Sequence, residues 1–348
     1  MKKLLLIGSN CVHTYNFFHL VKRYFDQVVM VTDEQHDIMD AKISNSYFVD
    51  SSLHKRSNYF KAIKTYTEIL KNEKPDIIHI QQISTYSYLL LRALKRSNLK
   101  IPVVLTTWGS DVLLLPHKGW IFKKMVQYVL RHCDRFTTDA QFVADKMDML
   151  AHKKLQTVIA NFGINIVDIE IEKENIIYSN RLHKPLYRID KILHAFHKFV
   201  QHHPDWKLVI GATGTETDAL KALTQQLQLE HSVTFIGWVD ATINSKMYAK
   251  SKIWVSIPES DATSISLLEA MSLGCIPIVV DLPANREWIQ QGKNGIIVED
   301  IDSDFLEEAL TLPFEDIAQI NEQIIREKGT KEVNRTLFFE IYDQLLMR

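Results

Sequence analysis

The chain holds 348 residues, more than one ordinary core accommodates, so two domains are expected. Its apolar share of 46% and charged share of 24% fit a soluble globular fold, and a net charge of -1 argues against a dedicated nucleic-acid binder. Cys11, Cys133 and Cys275 are scattered without a CxxC, which implies a reducing cytoplasm and no zinc site. The apolar run after Met1-Lys2-Lys3 is too short for a signal peptide, and no run approaches transmembrane length.

Leu4-Leu5-Leu6-Ile7 reads as a buried parallel strand ending at the loop Gly8-Ser9-Asn10, with a helix near Thr14 to Phe25. Val28 to Thr32, Pro75 to Ile80 and Pro102 to Thr107 read as further strands, separated by helical stretches at Ser57 to Asn72 and Tyr86 to Arg96. The last strand runs into Trp108-Gly109-Ser110-Asp111. Such alternation is the mark of a doubly wound α/β domain, whose ligands sit beyond the carboxyl ends of the strands.

The alternation resumes after about residue 170. Strands are expected at Ile176 to Ser179, Lys207 to Gly211, Val233 to Gly237, Ile253 to Ser256, Ile276 to Val280 and Ile296 to Val298. Helices are expected at Ile189 to Val200 and Thr217 to Leu227, and an apolar stripe of Val333, Leu337, Phe338, Ile341 and Leu345 predicts a final helix over Lys331 to Met347. Two similar α/β halves joined near Asn161-Phe162-Gly163-Ile164 imply a cleft between domains.

The run from Ser260 to Gly274 carries the most chemistry. Asp261 and Glu269 lie eight positions apart with Thr263, Ser264 and Ser266 between them, where a loop should enter a helix that Gly274 stops. The open N-terminus of such a helix receives an anion on its free N–H groups. A carboxylate one turn in accepts hydrogen bonds from vicinal hydroxyls. Together they suit a phosphorylated sugar-nucleotide.

With these pieces the chain resembles a family 4 glycosyltransferase of the GT-B fold, retaining and of the bacterial surface-glycan type. The resemblance rests on Arg181, Phe235-Ile236-Gly237, the Asp261 to Gly274 run, Asp281 to Glu287 and the turn Gly292 to Gly295. In the first half it rests on Pro75 to His79 and Trp108 to Asp111. It implies an N-terminal Rossmann-like acceptor domain at 1–165, a nucleotide-sugar donor domain at 166–328, and a C-terminal helix at 329–348 returning to the first domain. It also implies retaining transfer from a nucleotide-sugar, a UDP-sugar by family, to a glycan or lipid-linked acceptor. Two positions depart from the family: Asp261 stands where Glu is common, and Tyr187-Arg188 replaces a Lys-Gly step, leaving Arg188 or Lys184 to supply the missing phosphate charge. These departures keep a rival open, a non-catalytic nucleotide- or glycan-binding partner of the same fold. A nucleotide-sugar 2-epimerase also shares the fold.

Loss of a nucleoside diphosphate needs cations or N–H donors at the phosphates and exclusion of water from the anomeric carbon. Arg181, Arg188 and the N–H groups around Thr263, Ser264 and Ile265 suit the phosphates, Glu269 the ribose and Asp261 the transferred sugar. Gly8 and Ser9 allow close backbone approach, and Trp238 is a candidate to lie near the base. Trp108 is read as an apolar wall and Asp111 as a group orienting acceptor or sugar, with Asn10 and His13 beside them and His79 as a further loop candidate. Trp108, Asn10 and His13 thus form the expected acceptor or sugar pocket. No cofactor and no metal are expected: Asp302-Ser303-Asp304 reads as a solvated helix start, and His194, His197, His202 and His203 as helix scaffold without a carboxylate cluster.

From His117 to Arg135 the basic residues Lys118, Lys123, Lys124, Arg131 and Arg135 interleave with Trp120, Phe122 and Tyr128, and Asp134 is the one acid. Such a helix either packs one face on the core with a solvated basic side or lies on an anionic membrane; the second alternative sets a cytoplasmic enzyme on the inner face of the membrane through 117–135. Nucleic acid is not an expected partner.

Overall fold

The computed structural model describes residues 1–35, 39–53 and 56–347. The chain divides into two compact units, one of Met1–Phe162 with Lys331–Arg348 and one of Gly163–Thr330.

The first unit is built on seven parallel strands: β1 (Lys3–Gly8), β2 (Gln27–Thr32), β3 (Ile43–Phe48), β4 (Ile77–Gln81), β5 (Val103–Thr106), β6 (Arg135–Thr138) and β7 (Thr157–Ile159), in the order β3-β2-β1-β4-β5-β6-β7. Its helices are α1 (Val12–Val21), α2 (Arg56–Glu73), α3 (Thr85–Ser97), α4 (Ser110–Leu113), α5 (Trp120–Arg131), α6 (Gln141–Ala151) and the C-terminal helix Lys331–Leu346. Leu4, Leu5 and Leu6 are all fully buried, as expected for a central strand covered on both faces. Edge strand β3 instead carries Ser44, Asn45 and Ser46, all exposed, and its polar sequence hides it from a search for apolar runs.

The second unit holds six parallel strands: β8 (Glu174–Ser179), β9 (Lys207–Gly211), β10 (Val233–Gly237), β11 (Ser251–Ser256), β12 (Ile276–Val280) and β13 (Ile296–Val298), in the order β10-β9-β8-β11-β12-β13. They are joined by α7 (Ile189–Val200), α8 (Thr217–Gln226), α9 (Ala241–Lys250), α10 (Ile265–Ser272), α11 (Pro283–Arg286), α12 (Phe305–Leu310) and α13 (Phe314–Ile324). Ile253 and Val255 of β11 enter the core cluster that contains α7, while Trp254 between them enters the cluster that contains α10. That is the two-residue alternation of a strand buried on both sides. Gly274 follows α10 with φ +71°, the left-handed stop that the sequence predicts.

Three expectations change. The first helix ends at Val21 and continues as a 3₁₀ turn over Lys22–Tyr24, short of Phe25. The buried stripe of the C-terminal helix is Asn334, Phe338, Ile341, Tyr342 and Leu345, so Val333 and Leu337 flank it. The stripe is rotated because Asn334 Oδ1 accepts the Asn161 N–H at 2.8 Å, and a polar side chain with a buried partner belongs inside. His79 lies within β4, fully buried, and not in a loop.

The His79 ring ties three elements together: Nδ1 lies 2.8 Å from the Tyr342 hydroxyl of the C-terminal helix and Nε2 2.7 Å from Thr106 Oγ1 of β5. Burial lowers its pKa from 6.5 to about 3. The unfolded chain therefore takes up a proton below pH 6.5 that the folded chain refuses, so stability present above that pH is lost on acidification. Between pH 7.5 and 5.5 this one residue is expected to cost about 1.4 kcal/mol. Urea unfolding at the two pH values should show wild type losing about 1.4 kcal/mol more than His79→Gln, the comparison cancelling the other groups that titrate in this window.

Candidate functional site

In each sheet the strand order reverses once, between β1 and β4 and between β8 and β11. The loops leaving those strands open where helices diverge to opposite faces, the place where doubly wound sheets bind ligands. Ser9 and Asn10 lie on the loop after β1, Arg181 and Arg188 between β8 and α7, and Asp261, Thr263 and Ser264 between β11 and α10, whereas Trp108 and Asp111 follow β5 and Trp238 follows β10.

In the second unit, Arg181 follows β8 and Asp261 and Ser264 follow β11. Arg181 Nη2 pairs with Asp261 Oδ2 at 2.6 Å, Nη1 donates to Ser264 Oγ, and the guanidinium lies 4.6 Å over the Tyr187 ring. Ser264 is the N-cap of α10, but its hydroxyl is taken by the guanidinium and makes no cap bond to the helix. The second Asp261 oxygen accepts the Ala262 N–H at 3.0 Å. Burial pushes the Asp261 carboxyl above its ordinary value, and Arg181 and the Ala262 amide hold it back.

Glu269, within α10, accepts from Asn244 Nδ2 at 3.2 Å. Asn244 Oδ1 in turn accepts from the Tyr178 hydroxyl at 2.7 Å and from Asn180 Nδ2 at 3.1 Å. Asn180 also reaches Tyr248 Oη at 2.8 Å and accepts Trp254 Nε1 at 3.0 Å. Burial first, and then the charge of Glu269, raises the pKa of both tyrosines. Behind this network Lys173 Nζ donates to the carbonyls of Tyr248, Ser251 and Leu273 at 2.9, 2.8 and 2.6 Å, a half-buried amine at the C-terminal ends of α9 and α10. Asn180, Asn244 and Lys173 escape sequence reading. Only the position of Asn180, at a strand end beside Arg181, could have singled it out.

Arg188, in the left-handed region at φ 51°, pairs with Glu259 at 3.3 Å, while the Lys184 side chain is exposed. Thr263 Oγ1 accepts from Trp288 Nε1 at 3.3 Å. Trp238 stands apart from the group: it follows edge strand β10 and is 74% exposed.

In the first unit a side chain at Gly8 would bring its Cβ within 2.5 Å of Thr14 Oγ1, so only glycine lets β1 turn into α1 this closely. Asn10 receives the Tyr15 hydroxyl on its Oδ1, and its backbone N–H donates to Asp33 at 2.8 Å. The buried Tyr86 hydroxyl donates to the Gln81 carbonyl beside Ser9. Trp108 stacks on Phe162 at 4.4 Å, and the His13 ring lies 5.8 Å from each. The surrounding rings shield part of His13 and lower its pKa, and the trio forms one aromatic surface. Phe162 joins this surface although its sequence position marks it only as a domain joint.

Asp111 is buried, and both carboxylate oxygens are occupied: Oδ2 by the Ile83 N–H at 2.8 Å and Oδ1 by the Trp108 N–H at 3.0 Å. It fastens the loop after β4 to the loop after β5. Burial lifts its pKa to about 6, against the pull of its backbone donors. A cavity of about 320 Å³ beside it is lined by Ser84, Thr85, Ser110, Leu114 and Phe122. Among the described residues no cluster of three His, Cys, Asp or Glu side chains could hold a metal ion.

A glycosyl transferase 4-like family model matches residues 2–140, and a glycosyl transferases group 1 model matches residues 164–331. Over 289 residues the chain is 26% identical to the alpha-monoglucosyldiacylglycerol synthase of Streptococcus pneumoniae, which covers 75% of this chain and 64% of that protein. Over 134 residues it is 29% identical to an uncharacterized glycosyltransferase of Methanocaldococcus jannaschii, covering 38% of this chain and 33% of that one. These matches therefore span less than two thirds of either relative. Among solved structures, Anabaena HepE in complex with UDP has a TM-score of 0.79 over 99% of this chain and 100% of its own, at 15% identity, a likeness of fold.

Asp111→Asn keeps the shape but turns one acceptor into a donor facing a backbone N–H. It is expected to destabilise the protein by about 1–3 kcal/mol, measured by urea unfolding at pH 7.5.

Proposed function

This chain belongs to the glycosyltransferases of the GT-B fold, and on that premise we propose that it transfers a sugar from a UDP-sugar, with retention at the anomeric carbon. The acceptor is a glycan or a lipid-linked acceptor, and the product part of a bacterial surface polysaccharide or lipopolysaccharide. The observation that carries the reading is Arg181 held by Asp261 and Ser264 at the mouth of α10, with Glu269 one turn inside. The UDP held by HepE, whose fold this chain shares, supports the choice of nucleotide.

As the bond from the anomeric carbon to the diphosphate breaks, its electron pair stays on the departing oxygen. Arg181 uses two N–H groups on Asp261 and Ser264 and keeps three of its five for phosphate oxygens. Those oxygens also meet the N–H groups at the start of α10, where the helix dipole favours negative charge. This countercharge calls for no metal. Glu269 accepts hydrogen bonds from the ribose hydroxyls and is oriented for it by Asn244. Asp261 aims Arg181 and borders the transferred sugar. Arg188, or Lys184, adds charge beside the diphosphate. In the first unit the Trp108–Phe162 stack is an apolar wall that excludes water, and Asp111 positions it through the Trp108 N–H. The three cysteines, all free, agree with a reducing cytoplasmic setting.

At about a hundred times its dissociation constant, UDP should stabilise wild type by about 2.7 kcal/mol, and Glu269→Ala should lose most of that gain. A thermal-shift series with UDP, GDP and CMP checks it. Stabilisation by GDP or CMP alone would change the donor, and no shift with any nucleotide would sink the reading.

A further inference from the structure

The first turn of α5 points away from the fold. Met125, Val126, Val129 and Leu130 bury one face of this helix, yet Trp120, Ile121 and Phe122 are 75%, 62% and 37% exposed. Three consecutive residues of a helix cover most of its circumference, so at least one would turn inward if this end were packed. Leu114, 58% exposed, extends the same apolar tip from the preceding turn. Around it stand Lys118, Lys123 and Lys124, all exposed, in a stretch with no Asp or Glu between Asp111 and Asp134. Lysines at the positive end of a helix dipole disfavour the isolated helix, and an anionic surface outside the protein offsets that cost. An exposed Trp within a ring of lysines is also the composition that settles at a headgroup boundary.

We propose that this tip docks the protein on an anionic lipid bilayer. The inference rests on the glycosyltransferase reading in one respect: of the two acceptor classes left open there, it selects the lipid-linked one, carried at a membrane surface. The cavity beside Asp111 is continuous with the tip: Leu114, Lys118 and Phe122 line it on one side, and Ser84 and Thr85 on the other. A headgroup hydroxyl can thus reach the loops after β4 and β5 without its lipid leaving the bilayer.

Co-sedimentation with vesicles of phosphatidylcholine, alone or mixed with phosphatidylglycerol at about two to one, tests the docking. Wild type should sediment with the mixed vesicles, weakly with the neutral ones, and less as salt rises. Replacing Lys118, Lys123 and Lys124 by Ser should lower partitioning on the order of a hundredfold. Trp120→Ser with Ile121→Ser should lower it about tenfold. Both variants alter exposed residues, so their melting temperature and their stabilisation by UDP should match wild type. Failure of wild type to bind either vesicle, or variants that sediment like wild type, would overturn the docking. So would a tip that retains nucleic acid or an acidic protein but no vesicle. If UDP still stabilises the protein in those cases, the transferase reading survives; vesicle binding without any nucleotide effect would leave the docking and remove the transferase.

Discussion

A parallel sheet covered by helices on both faces has no room for polar chemistry except at the ends of its strands. Leu4 to Leu6 in one unit and Ile253 to Val255 in the other are fully buried, so groups offered to a ligand come from the loops and helix starts that follow, while polar groups inside, such as His79 with Thr106 and Tyr342, are tied to one another. The reversal of strand order then selects among those loops. Between β1 and β4, and between β8 and β11, adjacent connections leave in opposite directions and open a crevice. The arrangement of Arg181, Asp261, Ser264 and Glu269 depends on that single topological fact.

Charge placed in such a crevice must be balanced. In the second unit the charged groups of the site have partners: Arg181 with Asp261, Glu269 with Asn244, and Lys173 with three carbonyls. Leaving one of these unpaired would cost far more than the pair contributes, so the set acts as a fixed frame. A frame set before the ligand arrives needs little reorganisation when charge develops, the condition for electrostatic catalysis. The first unit follows another rule. Its loops present stacked aromatic rings and one carboxylate whose oxygens are already taken, a surface that shapes and dries a site more than it charges it.

Much of the fold is legible in the chain because buried strands announce themselves as continuous apolar runs and helices as stripes of period 3.6. What escapes is polar or short. Edge strand β3 reads Ile43-Ser44-Asn45-Ser46-Tyr47-Phe48, and β7 has only Thr157–Ile159, because an edge or a short strand needs little apolar cover. The same limit governs the site. Asp261, Thr263, Ser264 and Glu269 are close in sequence and share one loop-to-helix junction, so local spacing exposes them together. Asn180 and Asn244 are 64 positions apart and meet only because β8 and α9 fold against each other.

The sequence by itself determined the apolar central strands and the helices with a clear stripe, the two-unit plan, and the junction at which an anion and a sugar could be held, since each is written in local periodicity and spacing. Only the tertiary structure decided that Arg181 is clamped between Asp261 and Ser264, that His79 is a neutral strut under the C-terminal helix, and that Asp111 fastens two loops. It also decided that Trp120, Ile121 and Phe122 face outward. A side chain's partner is fixed by which strands lie side by side, and that is a property of the whole sheet.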